Sequence, residues 1–451
     1  MQVLLYEDPL TDKNDLTWRF GHLRLDAAIY HSLVNSGHRC QMLTNEFGAE
    51  VAAEAQIAPE DCIAIPEQEL IDALPHPQER IHHLFHERHY YDFNPSQSRD
   101  ESLAARIKRS IRRAIAPPTP QQAKRAYADA TLTQLAEVFR RHLAGTAPDW
   151  IVTWYPIPYL RQLFPHSKIL YKEAGFFGTA PFPWSHYFDP CGFHAHSWMR
   201  RFPERAIAPE GIPFVQQLRD YFLPIIRQAS PFRASVDALR SRYARLVLVA
   251  LQANQYYLFD QSCPYRSQAH VLLDILRQLP PDTAVIPTLH PGHGTLTADE
   301  LATIRRQYPN CEYLPETERF MAPSQYLLPD VDAVITLGSA VGWHALFHQK
   351  PLLIIADCHL SRAATYSSIA QLCHAWNHAT PPPIDDAHLA WIMFHYSIPQ
   401  SLYQRPDFAA SILQPALTAN LPNYFNAPIR PYAEITQEIL ATSNSQLPIP
   451  K

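Results

Sequence analysis

Glycine is scarce in this chain. Its 451 residues include 12 glycines, about 3% against an average near 7%. None builds a GxGxxG: the nearest pair, Gly292 and Gly294, is followed by Thr297. A GxxxxGK[ST] run is missing too, which excludes the usual dinucleotide oxidoreductase and the P-loop kinase or ATPase. Basic excess is also lacking. Lys and Arg number 38 against 43 Asp and Glu, a net charge of -5, so no nucleic-acid partner is expected. The seven cysteines, at 40, 62, 191, 263, 311, 358 and 373, are odd in number, widely spaced and without a CxxC pair. That excludes a disulfide framework or zinc ribbon and fits inert thiols in a reducing compartment. No stretch approaches the ~18 apolar residues of a membrane span. The opening MQVLLYEDPL has no basic flank and reads as a strand rather than a secretion signal. The expected location is the cytoplasm.

What is abundant is proline, 42 residues, with 47% hydrophobic and 18% charged positions. This is a globular composition, and the length exceeds the roughly 250–300 residues at which one core splits in two. Strand and helix patterns alternate in two sets. Gln2–Glu7, Gly37–Thr44, Trp150–Trp154 and Lys168–Tyr171 read as strands of the first, with a helix at Leu23–Val34. Leu246–Leu251, Ala284–Leu289, Cys311–Leu314, Ala333–Leu337 and Pro351–Ala356 read as strands of the second. Its helices fall at Ser267–Leu279, Ala298–Tyr308 and Ala340–His348. The expected class is α/β: two Rossmann-like domains facing a cleft, with a helical linker and a helical C-terminal tail. The domains are expected at 1–197 and 244–380, the linker at 198–243 and the tail at 381–451, packed back on the domains.

Open parallel sheets bind ligands at the carboxyl ends of their strands, so the residues there are the candidates. His290-Pro291 ends the strand 284–289, where an imidazole can donate to a phosphate oxygen; a plain strand-ending turn is the alternative. Ser339 follows the strand 333–337 and opens a helix at Ala340, a hydroxyl beside free backbone N–H groups, or simply an N-cap. The run Gly338-Ser339-Ala340-Val341-Gly342 is not a hydrolase elbow, because its serine sits one place too early. In the first set, Glu173 follows the strand 168–171 and Asp189 lies in the aromatic segment beyond. Each is a candidate base or nucleophile, or a turn cap.

Together these segments resemble the bacterial capsular polysaccharide glycosyltransferases of GT-B fold, the group containing Kdo transferases. The resemblance rests on Glu173-Ala174-Gly175, Phe188-Asp189-Pro190-Cys191-Gly192, Leu251-Gln252, His290-Pro291, and Ser339 through Trp343-His344-Ala345-Leu346 to Gln349-Lys350-Pro351. It covers roughly residues 150–370. It implies a nucleotide-sugar donor, CMP-linked where the sugar is an ulosonic acid, with no metal or other cofactor. His290 and Ser339 would hold the donor phosphate, with Gln252 nearby and Pro291 and Ala340 in the same nucleotide-binding set, and a glycan or lipid-linked glycan acceptor would meet the first domain. Two positions depart from the pattern: Ala174 stands where Kdo-type members carry an acidic residue, and Thr288 where a lysine is usual. Glu173 acting as base in an inverting transfer and Asp189 acting as nucleophile both remain open. The alternatives are a GT-B nucleotide-sugar 2-epimerase and a non-catalytic glycan- or nucleotide-binding relative.

Three further clusters are weaker. Among His82, His83, His86 and His89, three imidazoles fall at i, i+4 and i+7 on one helical face without accompanying carboxylates, so a solvated face is preferred to a metal site. Arg106 to Arg113 is a basic amphipathic run with isoleucines at 107, 111 and 115. It reads as a packed helix, or as a peripheral contact with anionic lipid at the inner membrane face. Asp12, Asn14, Arg19 and His22 follow the first strand, where acceptor contacts would sit.

Overall fold

The computed structural model describes residues 1–7, 23–73, 134–154, 163–179, 181–252, 267–290, 295–378, 384–405, 407–408 and 421–442, with positions 160, 263 and 265. The chain divides into two compact units: residues 1–171 with 405–410, and residues 172–404 with 411–451.

Unit 1 is built on parallel strands β1 (Gln2–Tyr6), β2 (Arg39–Asn45), β3 (Cys62–Ile65), β4 (Trp150–Thr153) and the first part of β5 (Lys168–Ala174). Their order is β5-β4-β1-β2-β3. Val3, Leu4, Leu5 and Tyr6 of β1 and Ile151 and Val152 of β4 have no exposure. Runs of adjacent buried apolar residues, rather than alternation, mark a strand covered on both faces. The helix Leu23–Asn35 turns Leu25, Ile29 and Leu33 inward, a spacing of four that places them on one stripe.

Unit 2 contains β6 (Ser185–Asp189) and a second sheet of β7 (Arg245–Ala250), β8 (Thr283–Thr288), β9 (Ala333–Thr336) and β10 (Leu352–Ile354). That sheet runs β10-β9-β7-β8, parallel throughout. The helix Gln268–Gln278 joins β7 to its neighbour β8. After Ala298–Gln307 the chain returns to the other side of β7 as β9, so the strand order reverses between β7 and β9. The helix Val341–Phe347 then leads to β10. β11 (Ile398–Pro399) pairs antiparallel with β6, and the tail helix Tyr432–Thr442 packs on Ile212–Ala229 through Tyr432 stacked on Phe214 at 5.6 Å.

The architecture is therefore α/β with parallel sheets, as the sequence leads one to expect, and several elements differ. β5 runs three residues past the predicted end at Tyr171, so Glu173 and Ala174 belong to the strand rather than to the loop after it. The aromatic segment predicted as loop forms β6, and β6 with β11 adds antiparallel pairing that strand–helix alternation does not announce. The strand predicted at Cys311–Leu314 reduces to one bridge, Val285 to Cys311.

Candidate functional site

Register fixes where the predicted residues of the second sheet lie. Ala250 of β7 pairs with Thr288 of β8 and with Thr336 of β9. Gln252, His290 and Ser339 therefore follow the ends of three adjacent strands at one carboxyl edge. Gln252 and Ser339 flank the β7/β9 reversal, the topological switch point at which open α/β sheets take their ligands. His290 is exposed, and its backbone N–H donates to Thr295 Oγ1 at 3.1 Å. Gln252 is half-buried, with its N–H 3.4 Å from Gln268 Oε1.

Ser339 sits one residue further from its helix than predicted. The helix begins at Val341, and Ala340, half-buried, stands in the capping position with no side-chain bond. The Ser339 hydroxyl instead accepts from the Val341 N–H at 3.3 Å, while the Ser339 N–H donates to Thr336 Oγ1 at 3.3 Å. Gly342 lets this helix approach the next segment: a Cβ there would lie 2.7 Å from Leu360 Cδ1. Pro291, Asp12, Asn14, Arg19, His22 and the clusters at 82–89 and 106–113 lie outside the described residues.

The two predicted carboxylates differ in setting. Glu173 is half-buried at the end of β5 and accepts from Tyr187 Oη at 2.8 Å. Gly175, two residues on, is needed for a close approach: its N–H donates to Ser185 O at 2.7 Å, and a Cβ would fall 2.9 Å from the Ser185 carbonyl carbon. Asp189 is wholly buried. Its Oδ1 accepts from the N–H groups of Cys191 (2.7 Å) and Gly192 (3.2 Å); its Oδ2 accepts from the Trp198 N–H and Tyr396 Oη, both at 2.7 Å. Burial pushes its carboxyl up to about 6 against the pull of those four donors. Asp189 thus anchors the turn 189–198 to Tyr396.

Sequence reasoning missed a group that joins these regions. Gln325 Nε2 donates to Thr179 Oγ1, and His344 Nε2 lies 3.4 Å from the same hydroxyl. His344 is also bonded to the Phe176 backbone, and burial lowers its imidazole to about 4. The His344 ring meets Phe177 edge-on at 5.0 Å and Phe182 at 5.6 Å. His344 was visible only as part of the His-Ala-Leu run; nothing in sequence marks Thr179 or Gln325.

These placements give the sequence likeness its context. Residues 225–398 match the capsule polysaccharide biosynthesis protein family. The matched segment is less than half of the chain. It holds Gln252, His290 and Ser339, but neither Glu173 nor Asp189. No curated protein matches the chain in sequence. Among solved structures, the beta Kdo 2,7 transferase of Thermosulfurimonas dismutans KpsC is 14% identical, with 66% of this chain and 90% of that one covered at a TM-score of 0.39. The Methanocaldococcus jannaschii UDP-GlcNAc 2-epimerase is 9% identical, with 87% and 97% covered at 0.33. Likenesses this distant assign no residue a role. Among the described residues no group of three or more His, Cys, Asp or Glu is placed to hold a metal ion, and no helix is long and apolar enough to cross a membrane.

Proposed function

We propose that this protein is a glycosyltransferase of surface polysaccharide assembly. It moves a sugar from a nucleotide-activated donor, Kdo or another ulosonic acid on CMP, to a glycan or lipid-linked glycan. The observation that carries the reading is the switch point: Gln252 and Ser339 flank it, and His290 ends the neighbouring strand, all inside the segment that matches the capsule polysaccharide family. Donors preorganised there stabilise the charge that builds on the leaving phosphate. The bond from anomeric carbon to phosphate oxygen breaks, the phosphate keeping the electron pair. The acceptor hydroxyl closes on that carbon, and Glu173 takes its proton. The half-buried setting of Glu173 favours it over Asp189, whose oxygens are occupied by four donors. An odd number of widely spaced cysteines with no CxxC pair fits work on the cytoplasmic side of the membrane.

A thermal-shift panel of CMP, UDP, GDP, ADP and dTDP tests the donor, because a ligand that binds only the folded state raises the melting temperature. CMP alone stabilising supports the ulosonic-acid donor. UDP or GDP moves the donor to a hexose and favours the epimerase alternative, while no shift removes nucleotide chemistry altogether. With the stabilising nucleotide, His290→Ala is expected to weaken binding by about 1–3 kcal/mol, the range for one hydrogen bond to a charged group. Unchanged affinity removes His290 from the phosphate site.

A further inference from the structure

The segment that follows Glu173 is tied to the sheet that carries Gln252, His290 and Ser339. Thr179 lies on the connection between β5 and β6, and Gln325 and His344 come from the helices Pro323–Leu327 and Val341–Phe347. The hydrogen-bond directions follow from what each group can do. Gln325 Nε2, which only donates, also stands 3.5 Å from His344 Nε2, so that ring nitrogen is the acceptor of a neutral imidazole. An amide Nε2 only donates, so Thr179 Oγ1 accepts from Gln325 and turns its own proton toward His344 Nε2, 3.4 Å away. The adjacent Ser324 hydroxyl reaches Thr288 Oγ1 at 2.7 Å, at the end of β8 and two residues before His290. Gln325 and His344 are both buried, whereas Thr179 is exposed. The chain of bonds therefore fastens a surface loop to the interior of the second sheet's helices.

We infer that Thr179 and His344 are positioning residues that set the end of β5, and so Glu173, against the switch point of the second sheet. The geometry acts at a distance of a few residues. Gly178 N–H bonds back to Gly175 O at 3.0 Å, and Gly175 N–H bonds to Ser185 O, so fixing Thr179 fixes the turn immediately beyond Glu173. Neither residue touches the sugar or the phosphate in this scheme. Their effect is on the placement of the base, which is felt in the chemical step rather than in donor binding.

This inference rests on the transferase reading, and the test separates the two. Thr179→Val keeps the shape of an exposed side chain and removes both bonds; Thr179→Ser keeps the bonds. The purified full chain is assayed for transfer with the nucleotide sugar that the thermal-shift panel selects. The expected result is kcat lowered about tenfold in Thr179→Val, the kinetic equivalent of one hydrogen bond, with donor KM within about twofold and Thr179→Ser near the unaltered protein. Equal kcat in Thr179→Val, or a loss confined to KM, overturns the positioning role and leaves the transferase reading intact. If the unaltered protein shows no turnover, the transferase reading fails. Amide hydrogen exchange at 176–179 then decides the tie itself: faster exchange in Thr179→Val upholds it, and identical exchange overturns it.

Discussion

Asp189 shows why a carboxylate's surroundings, and not its place in a motif, decide what it does. Four donors converge on a group with no solvent exposure, and each would be left unsatisfied if the acceptor went. An asparagine at this position would put an NH₂ where Trp198 N–H or Cys191 N–H now donates, donor against donor. Asp189→Asn is therefore expected to lower stability by about 1–3 kcal/mol, seen as a lower urea midpoint with unchanged slope. A nucleophile would behave oppositely, losing transfer while the midpoint stayed put. Gly175 makes a second residue-scale case. A methyl group there meets Ser185 Oγ at 2.0 Å and, less forgivingly, the Ser185 carbonyl carbon at 2.9 Å. Gly175→Ala is expected to cost about 1–3 kcal/mol, the usual penalty for overpacking, and a melting temperature equal to the parent's would show that β6 yields.

Between elements, Arg219 joins three helices. It projects from Ile212–Ala229 with 2% of its side chain exposed and pairs with Asp386 through two bonds, of 2.7 and 2.6 Å. It also donates to Phe347 O (2.9 Å) and Leu346 O (3.2 Å), carbonyls at the end of the helix Val341–Phe347, of which Leu346 O also accepts from the Gln349 N–H at 2.9 Å. Arg219→Met removes every one of these donors while filling the space. It is expected to lose about 3–5 kcal/mol in urea unfolding, as breaking buried pairs does; a loss under ~1 kcal/mol would mean that Asp386 and the carbonyls find water. None of this could be read from the sequence, because Arg219 and Asp386 are 167 residues apart. Local pattern carried the strands and helices instead. Buried apolar runs located β1, β4, β7, β8 and β9, and the helices expected to start at Ser267 and Ala298 begin within a residue of those positions, capped by Ser267 and Thr297. The same logic put His290 and Ser339 at strand ends, where the structure has them, since a strand's end is a local feature; Gln252 was named by the resemblance alone. It missed β6 and β11, which are paired by neighbours distant in sequence, and it missed Thr179 with His344, separated by 165 residues.

At the scale of the molecule, the buried histidines set the response to acid. Among the described residues seven are buried, His186, His194, His344, His348, His359, His388 and His395, and all lie in unit 2. Burial lowers every one of them: His186, His194 and His348 to about 3, His344 and His388 to about 4, His359 and His395 by direction. A folded value below the unfolded one, near 6.5, means the unfolded chain takes up protons first as pH falls. Their stabilising contribution is complete above about pH 6.5 and is lost progressively below it, each adding a slope of up to about 1.4 kcal/mol per pH unit until its folded value is reached. Asp189 runs the other way. Its raised value means the folded chain binds the extra proton between about pH 6 and 4, so stability gains there from one group while seven lose it. The balance predicts a melting temperature that is flat from pH 8 to 7 and falls steeply between 6.5 and 5. Limited proteolysis at pH 5.5 should cut first within unit 2. A melting temperature that holds down to pH 5 would mean that these imidazoles reach solvent in the folded protein, and the packing of Phe176 on His359 at 4.4 Å and of Phe177 on His344 at 5.0 Å would have to open for that to happen.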